Sequence, residues 1–192
     1  GLTVNQLPST GNVTGMVAAS SQSNLSTTCG GGGGAAGIAY VFHVSAPTVM
    51  VATTADALTN FDTVLDLRAQ NCSDASAEIA CHDDISAANK ASTLTRAIAP
   101  GTYYLIVEGK TTADVGMFVL DVDFFPGAGT PCTGVDDCGP GLQCRVPAGQ
   151  TDMVCTNPVC SDGIDDDGDG KTDFPSDPGC LTAVDETEGD VC

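Results

Sequence analysis

Phe61-Asp-Thr-Val-Leu-Asp-Leu67 sets Phe61, Thr63, Leu65 and Leu67 on one side of an extended chain and Asp62, Val64 and Asp66 on the other. A period of two is the signature of a β-strand with two unlike faces. The same alternation recurs upstream, with Ile38, Tyr40, Phe42 and Val44 on one face, and downstream, with Phe118, Leu120, Val122 and Phe124 on one face. Thr48–Thr53, Thr93–Ile98 and Thr102–Glu108 are further short runs rich in β-branched and aromatic residues, and Val13–Ala19 adds a candidate strand. Gly, Pro, Asn and Asp turns separate them at regular intervals. The pattern predicts an all-β chain, an antiparallel β-sandwich or jelly roll of about seven or eight strands.

A chain of 192 residues with 42% hydrophobic content can bury one sandwich-sized core and carry an appendage. Its 25 acidic against 6 basic residues give a formal net charge of −19. Nucleic-acid binding depends on Lys and Arg clusters that this chain lacks, so nucleic acid is excluded as a partner, and anionic membranes are disfavoured for the same reason. Ten cysteines with two histidines, and without a repeated C-x2-C pair, fit disulfides better than zinc. The expected setting is secreted, extracellular or cell-surface. No charged segment followed by an apolar one opens the sequence and no apolar run reaches membrane-spanning length, so the expectation is a mature chain without membrane insertion.

Four segments occur in a fixed order: FDTVLDL (Phe61–Leu67), IACHDD (Ile79–Asp84), APGTYYLIVEG (Ala99–Gly109) and GMFVLDV (Gly116–Val122). Together they resemble the bacterial pre-peptidase C-terminal domain, in which an F-D-T strand precedes an N-D-D-like turn, a G-T-Y-Y strand and a closing G-x-[FY]-x-L-x-V strand. The resemblance covers roughly residues 10 to 125 and implies a small exported β-sandwich without catalytic machinery. His82 stands where that family often has Asn. Pro100-Gly101 lets the chain re-enter the sheet, and alternation should bury one of Tyr103 and Tyr104 while exposing the other. Asp62, Asp83 and Asp84 could converge at one end of the sandwich as a second cation site, or simply bond backbone amides in turns.

Before these segments, residues 1–28 are polar, with the sequons Asn12-Val-Thr14 and Asn24-Leu-Ser26; Asn71-Cys-Ser73 is a third. Residues 1–20 are a possible extended strand. The glycines 30–34 match neither a dinucleotide nor a Walker spacing and read as a loop. The sandwich is expected over residues 1–125, a Pro/Gly linker over 126–131 and a cysteine-rich module over 132–192.

From Pro131 to Cys192 the chain has 14 acidic and 2 basic residues, too few apolar ones for a large core, so metal and disulfides must substitute for one. The core of this stretch is Cys160–Cys180, CSDGIDDDGDGKTDFPSDPGC. Asp165, Asp167 and Asp169 alternate and Gly170 follows, an order in which a tight loop turns successive carboxylates toward one hard cation. The expected ligands are Asp162, Asp165, Asp167, Asp169, the Lys171 carbonyl and Asp173, with Asp177, Asp185, Glu186 and Glu188 as further contributors. Ser176 stands where an EF-hand carries its bidentate Glu, so this is a loop-type site, and calcium suits it better than magnesium. The segment resembles acidic cysteine loops in secreted proteins of gliding Gram-negative bacteria and, more distantly, thrombospondin type 3 repeats and dockerin loops.

Cys72 and Cys81 flank one loop and are expected to pair locally, and Cys160 with Cys180 to clamp the acidic loop. Connectivity among Cys132, Cys138, Cys144, Cys155 and Cys192 stays open. Three cysteines in the sandwich and seven in the tail are both odd numbers, so full oxidation requires a bridge across the boundary, with Cys29 as the sandwich candidate.

No nucleophile or metalloprotease motif occurs, which argues against an enzyme. Two readings remain. One is a calcium-braced, disulfide-locked surface or filament subunit that self-associates, residues 1–20 adding to a neighbour's sheet edge. The other is an accessory module carrying an exported hydrolase to an extracellular polysaccharide or protein matrix for adhesion.

Overall fold

The alternating runs form strands in the computed structural model, which describes residues 2–21, 25–30, 34–147 and 149–189. In chain order they are β1 (Thr3–Gln6), β2 (Asn12–Val17), β3 (Gly37–Val44), β4 (Thr48–Thr53), β5 (Thr63–Ala69), β6 (Glu78–His82), β7 (Thr93–Ile98), β8 (Gly101–Gly109), β9 (Gly116–Pro126), β10 (Gln143–Arg145) and β11 (Val154–Thr156). Two units result, Gly1–Ser45 with Met50–Phe124, and Ala46–Val49 with Phe125–Cys192.

The first unit is a sandwich of a five-stranded sheet, β1-β3-β8-β5-β6, and a four-stranded sheet, β2-β9-β4-β7. Tyr40, Phe42, Leu65, Leu67, Leu105 and Val107 of the first meet Val17, Met50, Ala52, Leu94, Phe118 and Leu120 of the second, all buried. Each such side chain contributes roughly 1.5–3 kcal/mol on leaving water, the main term set against chain entropy. Phe118 meets the Tyr40 ring edge-on at 6.4 Å, and Phe42 stacks on Tyr103 at 5.7 Å. Tyr103 is the buried member of its pair and its hydroxyl donates to the Ala99 carbonyl at 2.8 Å.

One strand, β6, lay outside the alternating runs. Residues 3–6 pair in parallel with β3, Thr3 opposite Ile38, and β6 pairs with β5, Leu65 opposite His82. β2 is antiparallel to β9, so the stretch 1–20, expected as a strand for a neighbour's sheet, contributes two strands to its own.

The outer face of the five-stranded sheet is also covered. On β5, Val64, Asp66 and Arg68 face away from the core and are fully buried, as are Ala39 and Ile106 beside them. Residues 25–30 lie over this face as a strap. Leu25 packs on Ala39 and Ile106. The Arg68 Nη2 donates to the Ser26 carbonyl at 2.8 Å, and the Thr28 N–H donates to Glu78 at 3.0 Å. Cys29 is bonded to Cys81 with a Cα–Cα distance of 5.8 Å.

This corrects the expected Cys72–Cys81 bridge. Cys81 stands opposite Asp66 in the β5–β6 register, on the face that the strap crosses, so Cys29 reaches it first. Cys72 remains a thiol, its carbonyl accepting from Arg68 Nη1 at 3.2 Å. Cys29 is therefore not available for the expected bridge to the tail; Cys192 lies outside the described residues, as do Asn24 of the second sequon and glycines 31–33.

In the second unit, disulfides take the place of a core. β10 pairs with β11, Cys144 opposite Cys155. Cys132–Cys144 and Cys138–Cys155 bridge around that hairpin, and Cys160–Cys180 closes the acidic loop as expected, with a Cα–Cα distance of 5.7 Å. Residues 126–131 are not a free linker. The Gly127 N–H donates to Pro47 O at 2.9 Å and the Gly129 N–H to Cys155 O at 2.8 Å, binding them into this unit.

Candidate functional site

The acidic loop is shaped by its own side chains. Gly168 and Gly170 hold φ of +80° and +88°, the left-handed region that side chains with a Cβ adopt at a cost. Asp165 accepts from the Gly168 N–H at 2.7 Å through one oxygen and from the Gly170 N–H at 3.0 Å through the other. Asp167 accepts from the Asp169 N–H at 3.0 Å, and Asp169 from the Lys171 N–H at 2.7 Å. These bonds bend the chain so that one carboxylate oxygen from each of Asp165, Asp167 and Asp169 lies within 4.8 Å of the others. The Lys171 Nζ sits 2.9 Å from Asp169 and, with the backbone bond, holds its carboxyl below the usual range.

The other expected ligands are turned elsewhere. Asp162 pairs with Arg145 and accepts from the Ile164 N–H at 2.9 Å. Asp173, at φ +56°, accepts from the Gly163 N–H at 2.9 Å. Asp185 accepts from the Thr182 N–H at 2.8 Å, and Glu186 from Gln143 at 2.9 Å. Asp177 is 1% exposed, with one oxygen accepting from the Gly179 N–H at 2.6 Å and the other buried without a partner.

Glu188 has a role that its position in the sequence did not signal. It is 2% exposed and accepts from the Asp166 N–H at 2.6 Å and the Asp173 N–H at 3.0 Å, beside the Cys160–Cys180 bridge. It therefore ties the two limbs of the loop from within. Burial, then the charge of Asp162, pushes the Asp166 carboxyl up.

A second cluster forms at one end of the sandwich. Asp62 precedes β5 and Asp83 and Asp84 follow β6, and the antiparallel register brings those ends together. Their carboxylate oxygens lie within 4.8 Å of one another. In each, Oδ1 is shielded from solvent and has no hydrogen-bond partner. Asp83 Oδ2 pairs with Lys110 and Asp84 Oδ2 with Lys90. Burial first, then the charges of Asp84 and Asp83, pushes the Asp62 carboxyl up. A cavity of about 520 Å³ opens beside it, lined by Asp56, Asn60, Phe61, Asp62, Asn89 and Lys90 among others.

Three converging hard oxygen donors without a neutralising partner for each fit a divalent cation at either cluster, the remainder of a six-to-eight-oxygen shell coming from carbonyls and water. The thiol groupings are different: Cys132, Cys138 and Cys155, and Cys160 with Cys180, are bridged and offer no thiolate for zinc. Both histidines serve the sheets. His43 Nδ1 lies 3.3 Å from Thr102 Oγ1, and His82 Nδ1 accepts from the Thr93 N–H at 3.2 Å.

No protein-family model matches the sequence, and no curated protein matches it. Among solved structures, the chain is similar to the pre-peptidase C-terminal domain of collagenase from Bacillus anthracis, at 18% identity and a TM-score of 0.41, over 64% of this chain and 95% of that one. It is also similar to Aeromonas hydrophila PliG, a periplasmic inhibitor of g-type lysozyme, at 11% identity and a TM-score of 0.38, over 64% of this chain and 96% of that one. The first belongs to the family whose motif order the sequence resembles.

Proposed function

We propose that this chain is a non-enzymatic, calcium-binding structural module acting outside the cytosol, at a cell surface or within a self-associating assembly. The observation that carries this reading is the convergence of Asp165, Asp167 and Asp169 within 4.8 Å inside a loop closed by Cys160–Cys180. Asp165, Asp167 and Asp169 would hold the ion, and its charge would offset their mutual repulsion, ordering the loop. Asp62, Asp83 and Asp84 are the second place where an ion fits. Four disulfides among the described residues support an oxidising compartment, and no described helix is long and apolar enough to cross a membrane.

Calorimetric titration of the chelated chain with calcium tests it. Two binding events are expected, one lost in Asp167→Asn and the other in Asp83→Asn. Titration without heat in the wild type, or heat unaffected by Asp167→Asn, would overturn the loop assignment. Self-association is read by electron microscopy with calcium and then with chelator; assemblies that persist unchanged in chelator count against calcium as their brace.

The polar cavity beside Asp62 favours a second reading, an accessory module that binds extracellular polysaccharide or protein matrix. Its mark is retention of the monomer on insoluble polysaccharide or collagen, weakened by Asn89→Ala at the cavity wall.

A further inference from the structure

The charges of this chain are unevenly placed along it. Residues 1–55 contain no Asp, Glu, Lys or Arg, so all 25 acidic side chains follow β4. Two copies carrying a formal −19 each repel one another over most of their surface, and a second copy approaches at least electrostatic cost along the uncharged strands. Edge strands are ordinarily guarded by charge, proline, bulges or brevity. β6 carries Glu78 and a register shift against β5 at Leu67/Arg68, β7 carries the exposed Arg96, and β1 spans only four residues. β2, at the end of the four-stranded sheet, has none of these guards. Asn12–Val17 is six residues without charge or proline, in unbroken register with β9 from Asn12 opposite Asp121 to Val17 opposite Gly116.

The hydrogen-bond phase of β2 fixes which of its groups point outward. The Val122 N–H donates to the Gly11 carbonyl at 2.9 Å, so Gly11, Val13, Gly15 and Val17 bond to β9 and the residues between them do not. Met117, opposite Met16, shows the same phase. Its carbonyl accepts from the Asn60 N–H at 3.1 Å and its N–H donates to the Asn60 side chain at 3.0 Å, both on the side away from β2. The N–H and C=O of Asn12, Thr14 and Met16 therefore face away from the sheet. Their side chains are exposed as well, Met16 at 62% with Met117 at 42% opposite it, an apolar pair at the margin of the sheet.

We propose that β2 is the surface through which this chain self-associates, pairing antiparallel with β2 of a second copy about a two-fold axis. The proposal rests on the self-associating reading above and names its contact. With Thr14 opposite Thr14 on the axis, Asn12 falls opposite Met16 and Val13 opposite Gly15 of the second copy. The outward N–H and C=O groups of the two strands then bond each other, and like faces of the two sheets stay on one side, so the two four-stranded sheets continue into one. Glycine at position 15 leaves room for the facing Val13. One side of β2 thus completes the chain's own sheet on β9, and the other is offered to the second copy.

Analytical ultracentrifugation of the full oxidised chain with calcium tests this, in the wild type, in Thr14→Glu and in Thr95→Glu, which alters the exposed side of the edge strand β7. Reversible association is expected in the wild type. It should weaken roughly tenfold or more in Thr14→Glu, where like charges would meet on the axis, and stay unchanged in Thr95→Glu. Association equally tight in Thr14→Glu overturns the β2 contact and leaves self-association to another surface. A wild type that stays monomeric at every concentration overturns both the contact and the self-associating reading. Should Thr14→Glu not fold, hydrogen exchange of the wild type decides: Thr14 and Met16 amides that gain protection as the chain is concentrated support the pairing, and exchange independent of concentration overturns it.

Discussion

At the scale of single residues, the sandwich depends on side chains with no spare room. Phe118 is fully buried, and a Cβ built on Gly15 would fall 2.4 Å from its ring, so β2 and β9 approach each other through a glycine. Gly15→Ala should cost roughly 1–3 kcal/mol through overpacking and Phe118→Ala roughly 3–5 kcal/mol through the cavity left behind, both read by chemical denaturation. Polar residues show the same dependence on local partners. Asp137 accepts from the Thr133 N–H at 2.7 Å, the Thr133 hydroxyl at 2.8 Å and the Gly134 N–H at 3.0 Å, bonds that hold its carboxyl below the usual range. A depressed carboxyl contributes stability above its ordinary value and loses it as pH falls through the folded one. The Thr133 amide resonance should therefore titrate with a midpoint below 3.8; a midpoint above it removes Asp137 as the turn's clasp.

Among the elements, the acidic loop has the least apolar support. Cys160–Cys180 spans a sequence separation of 20, and opening a loop of that size releases on the order of 3 kcal/mol in the unfolded-chain account. Paired Cys160→Ser and Cys180→Ser substitutions should make residues 160–189 the first site of limited proteolysis, with calcium restoring only part of the resistance. Glu188→Gln is expected to act in the same direction, because it weakens the carboxylate that holds the Asp166 and Asp173 amides. At β1 and β2 the outcome differs from the sequence reading for a plain reason. A polar strand with exposed side chains carries no sign of its partner, and the chain's own β3 and β9 were available.

For the whole molecule, the two units rest on different stabilising terms. One has an apolar core between two sheets, the other disulfides packed in a small cysteine cluster. Chelator should leave the sandwich folded on its apolar core, lowering its thermal transition only by what an ion at Asp62, Asp83 and Asp84 contributes, and should speed proteolysis within residues 160–189. Calcium at a hundredfold excess over its dissociation constant would add about 2.7 kcal/mol to the unit that binds it. Proteolysis of that stretch unchanged by chelator would sink the calcium reading.

Periodicity alone specified the strands around Phe61–Leu67, the burial of Tyr40, Phe42, Leu65, Leu67, Phe118 and Leu120, and the convergence of Asp165, Asp167 and Asp169, because alternation and a D-x-D-x-D-G loop act over a few residues. It could not specify which cysteine meets Cys81, that Asp66 and Arg68 are sealed beneath residues 25–30, or that Asp162 and Asp173 turn from the acidic trio toward Arg145 and Gly163. Those outcomes depend on strand register and on segments distant in sequence competing for one face, and only the folded chain brings the competitors together.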